Sequence, residues 1–492
     1  MKTSGKKIFG LVALVVILYN YNTAQVLRPG NFKFDSFATG NSGIILGNGI
    51  VDIITRDSLV WVATGFGLNE TSNGGISWQT FNPYDYKSKG GVSALAFMDD
   101  STVWIATAFD TIVSDGSELE AGGGLSFTRD GGTTWTHVSQ PVDARDVTAY
   151  KPTTTNVQNL TYDIGILDST IWIASFGGGL RKSQDMGRNW QVTTTDGFSF
   201  DVSRQLNHRA FSVLVENDNL WIGTAAGISK SSDQGQTWQR FTHQNQRFPI
   251  SGNFVVAIDY QPYAHTIWAG TVETDTSEYR AVSKSDNGGE TWEVMLPGVF
   301  AYNFAFDDSI VYVASDKGLY VSADAGMHWY IMPPIVDFRS GEEILTEKYY
   351  SAGVSTEFPA SRLWAGSGDG LASTIDNGNH WYINRSYQST RATAVANVYA
   401  YPSPFSPARQ GYIRFQYDIT RAGEVEIDIY DFALDKVASI REYETDPGGG
   451  SYDRSARWNG SSDSGKTVAS GVYFFRAKVE GKVTWGKLVL IN

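Results

Sequence analysis

Seven times the chain writes an eight-residue turn that ends in tryptophan, and nothing else in it constrains the fold as strongly. The copies occupy 71–78, 128–135, 183–190, 231–238, 285–292, 322–329 and 374–381. Their shared rule is Ser/Thr-x-Asp/Asn-x-Gly-x-Thr/Ser/Asn/His-Trp. A unit returning about every 50 residues marks a repeat architecture, in which each unit buries a face it cannot bury alone.

Each position of the turn has a mechanical reading. The third residue (Asn73, Asp130, Asp185, Asp233, Asn287, Asp324 or Asp376) can accept hydrogen bonds from backbone N–H groups of its own turn. The fixed glycine supplies a positive φ without steric cost. The hydroxyls bond locally, and the tryptophan opens the next strand as an apolar plate.

A second anchor precedes every turn. It reads Val60-Trp-Val-Ala-Thr64 in the first copy, Ile171-Trp-Ile-Ala-Ser175 in the third and Leu363-Trp-Ala-Gly-Ser367 in the last. These runs predict buried strands, with Ala or Gly where neighbouring sheets crowd. Before each anchor lies a further strand-like run, such as 49–57, 92–99, 209–217, 254–260 and 302–307. The unit is therefore strand A, strand B (the anchor), strand C, the turn and strand D. Seven such units predict an all-β fold, a seven-bladed β-propeller of four-stranded blades spanning 49–388. Thirteen of the fifteen tryptophans sit at the two repeat positions, so tryptophan is used here as core.

The turns resemble the Asp boxes of sialidases, sortilin-type receptors, xyloglucanases and photosystem II assembly propellers. The resemblance implies the fold. It leaves the function open, because enzymes and non-enzymes share the turn.

The anchor-to-turn spacing locates elaboration. The anchor aromatic (Trp, or Tyr312 in blade six) and the turn tryptophan are 17 or 18 residues apart except in blade two (Trp104 to Trp135) and blade five (Trp268 to Trp292). The extra residues, 109–123 and 272–280, fall in B–C connections. The D–A connections at 82–90, 139–158, 193–208, 242–252 and 333–355 are long as well. In an up-and-down blade these two connections share one face, and insertions gathered on one face mark the binding side of a repeat protein. The candidate contact residues there are Tyr84, Tyr86, Phe198, Phe200, His208, Phe248, Tyr349 and Tyr350, with Arg145, Arg204, Arg209, Arg247 and Arg339.

Sialidase chemistry, as the resemblance implies it, needs an arginine triad on a carboxylate, a Tyr–Glu nucleophile pair and an Asp acid/base. It also carries an Arg-Ile/Leu-Pro motif before the first box. No such motif precedes Thr71, and the nearest string, Arg247-Phe-Pro249, lies between boxes four and five. Xyloglucanases resemble two propellers clamped on a glucan, and one is predicted here. Carboxylate pairs such as Asp99-Asp100 and Glu342-Glu343 read as solvated loop charge. No nucleophile elbow, phosphate loop or His-Glu-x-x-His is present. No cofactor or metal is expected, since the oxygen-rich run 115–120 fits no calcium-loop pattern.

The ends set the cellular context. Lys2, Lys6 and Lys7 followed by an apolar run read as a secretory signal cleaved near Ala24, with 25–48 as an N-terminal segment. Within it 31–38 looks like a spare outer strand able to take part in ring closure. The chain has no cysteine, so its stability rests on its core. Lys plus Arg number 39 against 52 Asp plus Glu, which argues against nucleic acid as a partner.

After a linker at 389–398, residues 399–492 give about seven short strands, which predict a β-sandwich. The run Tyr401-Pro-Ser-Pro-Phe405, the segment Val425–Asp431, the Trp458-Asn-Gly460 turn and Gly471-Val-Tyr-Phe474 carry a second resemblance. They are similar to the Ig-like domain of flagellar hook-capping proteins and to the sorting domains of type IX secretion cargo. That implies delivery to the surface or medium of a Gram-negative bacterium, with the outer-membrane secretion machinery as a partner. The expectation is an exported, non-enzymatic propeller that binds an unknown protein or glycan. The rival is a glycoside hydrolase on the same face, and a third reading is an assembly factor.

Overall fold

The computed structural model describes residues 45–143, 154–339, 341–357, 360–386, 398–401, 403–445 and 452–492. The signal segment, the strand expected at 31–38, Arg145 and the linker lie outside them. The described chain forms two compact units, one running to Ile335 and resuming over Ile344–Arg385, the other made of Val336–Glu343 and the residues after Arg385.

The first unit contains seven four-stranded antiparallel sheets, each a meander of consecutive strands. In the first sheet the strands are Ile50–Arg56, Leu59–Thr64, Gly67–Thr71 and Gln79–Phe81. In the last they are Tyr349–Glu357, Ala360–Ser367, Gly370–Thr374 and Tyr382–Asn384. Both end sheets are complete, so the described chain closes its ring by face packing of the last sheet on the first and lends no strand from one to the other.

The anchor strands form the core. Trp61, Trp104, Trp172, Trp221, Trp268 and Trp364 are all buried, each between aliphatic neighbours. The small residues after them are forced by the next blade. A Cβ on Gly366 would lie 2.5 Å from Ile50 Cγ2, and one on Gly223 would lie 2.9 Å from Val255 Cγ1. Those approaches allow nothing larger than hydrogen.

The tryptophan turns are hydrogen-bonded as a unit. In the fourth, Asp233 Oδ1 accepts from the Thr237 N–H at 2.9 Å and from the Ser231 hydroxyl at 2.7 Å, and Gly235 N–H donates to Ser231 Oγ at 2.8 Å. The Thr237 hydroxyl, which donates to Asp233 Oδ2 at 2.5 Å, with the Thr237 N–H and the Ser231 hydroxyl, holds the Asp233 carboxyl down at about 2. Each turn leans on the previous blade. Trp135 meets Trp61 edge-on at 6.3 Å, Trp238 meets Trp172 at 6.5 Å, and Trp329 meets Trp268 at 6.1 Å. The series closes where Trp78 of the first turn meets Trp364 of the last anchor at 5.8 Å.

The second unit is a β-sandwich. A three-stranded sheet (Val398–Tyr401, Ile413–Ile419, Tyr452–Trp458) faces a four-stranded one (Lys436–Glu444, Gly423–Tyr430, Gly471–Val479, Lys482–Leu490). Phe405, Phe415, Tyr417, Ile427, Ile429, Phe475 and Leu488 fill its core. The segment Val336–Glu343 belongs to this unit, where Arg457 pairs with Glu343 at 3.4 Å.

Candidate functional site

Every innermost strand of the first unit carries a β-bulge near its start. The register slips at Ile50/Asp52, Val92/Ala94, Ala210/Ser212, Val255/Ala257, Ala301/Asn303 and Tyr349/Ser351, and in blade three beside Ala174/Ser175. A bulge leaves one residue outside the ladder and re-aims its side chain. Here those residues are Val51, Ser93, Tyr162, Phe211, Val256, Tyr302 and Tyr350. All seven line one cavity of about 190 Å³. Each blade thus contributes one side chain to the axis, and four of the seven are aromatic. Phe211 packs 5.3 Å from Tyr162 and Tyr350 packs 5.3 Å from Tyr302, centroid to centroid.

Blade two adds the charged edge. The sequence led us to expect a loop at 109–123. The structure instead extends strands Val103–Ile112 and Glu118–Thr128 into a hairpin. Phe109, Asp110 and Glu120 of this hairpin join the lining, with Asp110 and Glu120 as directly opposed cross-strand partners. Burial, with the facing Asp110 charge second, pushes the Glu120 carboxyl up to about 7. At the rim, the Lys89 ammonium lies 3.6 Å from the centroid of Phe109.

One residue beyond the bulge, the inner strands are riveted together. Asp52 Oδ2 accepts from the Leu95 N–H of the next blade at 3.1 Å, and Asp163 Oδ2 from Val213 N–H at 2.8 Å. Asn303 Oδ1 accepts from Ala352 N–H at 2.9 Å, and Ser351 Oγ from Ile53 N–H at 3.0 Å. Burial pushes Asp52 up to about 6 and Asp163 to about 7, against these stabilising bonds. Asp259, farther along its strand, is pushed to about 7 by burial and by the Asp52 charge. Among the described residues no three of His, Cys, Asp or Glu converge as a metal site.

The thirteen contact residues expected from sequence separate sharply. Of the twelve that are described, only Tyr350 lines the cavity. Tyr84 and Phe198 are exposed side chains on the loops, at 92% and 62%. Tyr86 is core: it is fully buried, touches Trp135 edge-on and donates its hydroxyl to Gly90 O. Phe200 and His208 are buried and stacked on each other. His208 Nδ1 accepts from Asp201 N–H while Nε2 meets Asp196 at 3.1 Å, so this pair builds the loop. Tyr349 is buried in the core of the last blades, while its half-buried neighbour Tyr350 is the bulged residue that the register shift turns to the cavity.

The arginines also fall apart as a set. Arg204 is exposed at 85% and stands 3.7 Å from Asp201. Arg209 is buried, gives its Nε–H to Val202 O and covers Phe176. Arg247 and Phe248 sit beside the fifth turn instead of on the expected face. Their connection folds back so that Phe248 O takes the Trp292 N–H and Gln246 reaches Gly289 O. Arg339 goes with the sandwich unit. No arginine lines the cavity among the described residues, so the triad that a sialidase resemblance implies is not assembled there.

What sequence reasoning missed was the bulge column. Among its aromatic residues, counting back from the anchors stacks only Tyr162, Phe211 and Tyr302, each ten residues before Trp172, Trp221 and Tyr312, whereas Tyr350 stands fourteen before Trp364, so sequence spacing alone does not gather the column.

The architecture defines a β-propeller class of protein with a β-sandwich unit on the same chain. Two solved structures agree on that fold. A GH74 enzyme of Niastella koreensis is 16% identical, with 92% of this chain matching 74% of that one at a TM-score of 0.51. An ancestral GH74 enzyme is 14% identical over 92% of this chain and 63% of its own, TM-score 0.53. A GH74 xyloglucanase from Xanthomonas campestris is 12% identical over 71% of this chain and 56% of its own, TM-score 0.49. The chain therefore spans less than two thirds of the latter two. No family model and no curated protein matches the sequence.

Proposed function

We propose that this protein is an exported, non-enzymatic seven-bladed propeller of the Asp-box type. Its axial cavity and the surrounding loop face bind a protein or glycan ligand. The Ig-like C-terminal sandwich serves secretion through the outer-membrane machinery or attachment at the cell surface. The observation that carries the binding reading is the bulge in every inner strand. A distortion repeated seven times to aim side chains at one cavity is a feature of a site, because bulges re-aim residues at functional positions.

The test is a glycan array and a panel of surface proteins probed with the purified chain, beside Val256→Arg, which fills the cavity from a half-buried position. Saturable binding lost in Val256→Arg is expected. Binding that survives it would remove the cavity from the reading. Export is checked by deleting 399–492 and fractionating cells; unchanged delivery would overturn the role of the sandwich.

One observation favours a hydrolytic alternative. Glu120 is pushed to about 7 and faces Asp110, and glycoside hydrolysis needs a protonated carboxyl beside an ionised one. Turnover of chromogenic glycosides that Glu120→Gln abolishes would replace the binding reading with this one.

A further inference from the structure

We propose that the axial cavity takes a single cationic side chain, a lysine or arginine of a partner protein, held between aromatic faces and the Glu120 carboxylate. This rests on the binding reading above and names the ligand class of that same cavity.

Three observations carry it. The first is size. At about 190 Å³ the cavity is smaller than the ~300–1,000 Å³ of sites for drug-sized ligands, so it suits one side chain and not an oligosaccharide. The second is wall chemistry. Tyr162, Phe211, Tyr302 and Tyr350 present aromatic rings from four separate blades. A ring face carries negative charge density, and several faces turned on one point form the cage that recognises ammonium and guanidinium groups. The rim already shows the preference, since the Lys89 ammonium rests over Phe109.

The third is the sign of the charge. Among the described residues the charged side chains lining the cavity are both acids, Asp110 and Glu120. Asp52, Asp163 and Asp259 on the inner strands add to the same sign, and the pairwise repulsion is felt at Asp163 and Asp259. A neutral sugar would use the rings and leave this potential unanswered. A cation answers both, and in a partly dry cavity the attraction is stronger than at an open surface.

Glu120 links binding to pH. It faces Asp110 across the hairpin and Tyr162 from the blade-three inner strand, with Lys89 over the neighbouring Phe109. Burial and the Asp110 charge raise its carboxyl to about 7, so its ionised fraction grows through that range. Affinity for a cation should therefore rise as pH climbs from 6 to 8.

The experiment uses the full chain and isothermal titration with Nα-acetyl-lysine amide, Nα-acetyl-arginine amide, the neutral Nα-acetyl-norleucine amide and methyl β-glucoside. The expected result is binding of a cationic probe at least about tenfold tighter than norleucine, strengthening from pH 6 to 8. It should weaken about tenfold in Glu120→Gln, roughly the 1.4 kcal/mol that corresponds to a factor of ten. Removing one of two opposed like charges does not threaten the fold, and Val256→Arg gives a second, occluding variant. Equal binding of norleucine, a flat pH profile, or glucoside binding alone would overturn the proposal. If the array and panel of the previous section yield a ligand whose binding needs the cavity while the cationic probes fail, the cation assignment falls and the binding reading stands.

Discussion

Ile53 and Ser351, 298 residues apart in sequence, share a hydrogen bond: the Ile53 N–H donates to Ser351 Oγ at 3.0 Å. This contact closes the ring. It is the same joint that Asn303 makes with Ala352 one blade earlier. Closure is thus one more blade-to-blade contact of the ordinary kind, reinforced by Trp78 against Trp364. The two joints differ in redundancy. The Ile53 N–H also meets Asp52 Oδ1 at 2.8 Å, whereas Asn303 is the side chain that takes the Ala352 N–H. Ser351→Ala should cost about 1 kcal/mol and Asn303→Ala about 1–3 kcal/mol, measured by urea unfolding. Equal costs would show that the second acceptor at Ile53 is idle.

The carboxylates of the inner strands give stability an unusual slope with pH. Asp259 has a native pKa of about 7 against an ordinary 3.8, so between these values the folded chain holds a proton that the unfolded chain does not. Stability from this group therefore falls as pH rises from about 4 to 7, with no penalty below and the full penalty above. Asp259→Asn keeps an acceptor for the Tyr260 N–H and removes the charge. Asp259 is only partly buried, so about 1–2 kcal/mol of the penalty is expected after screening. The variant should melt about 2 °C or more above the parent at pH 8 and equal it at pH 4.5. A constant difference at both pH values would refute the assignment.

Two glycines in equivalent turns test what holds the turns in place. Gly131 has φ +63° with open space at its Cβ, and the matching residue in the sixth turn is Ala325 at φ +54°. Gly235 has φ +81°, and a Cβ there would come within 2.6 Å of Trp172 in the previous blade. Gly131→Ala should shift stability by no more than about 1 kcal/mol, while Gly235→Ala should cost about 1–3 kcal/mol. Thermal melts of the two proteins decide it; matching losses would mean that backbone strain alone governs both sites.

Arg204 and Arg209, five residues apart, should respond oppositely to truncation. Arg209→Ala removes a buried stem and the donor to Val202 O, and about 2–3 kcal/mol is expected. Arg204→Ala touches an exposed side chain and should stay within about 0.5 kcal/mol. Denaturant midpoints compare them directly. A large loss at Arg204 would contradict the structure.

Much of the architecture was legible because it is written in local pattern. The turns at Asn73 through Asp376 need particular residues at fixed offsets, and the anchors need uninterrupted apolar runs, so both show in one dimension. The site was legible only in outline. The spacing of Trp104 and Trp135 pointed to blade two, and the hairpin there does bring Phe109, Asp110 and Glu120 to the cavity. The side chains named from loop composition mostly went elsewhere. Tyr86, Phe200, His208 and Arg209 pack the loops themselves, because a long connection must satisfy its own backbone and bury its own rings.

By itself, then, the chain determined its repeat, its strand order and the turns that end in tryptophan, because each depends on residues close together in sequence. Tertiary structure alone decided the site. Val51, Ser93, Tyr162, Phe211, Val256, Tyr302 and Tyr350 span 300 residues and meet only because seven bulges turn them to one axis. A bulge is a slip in pairing between two strands, and no single strand's sequence displays it.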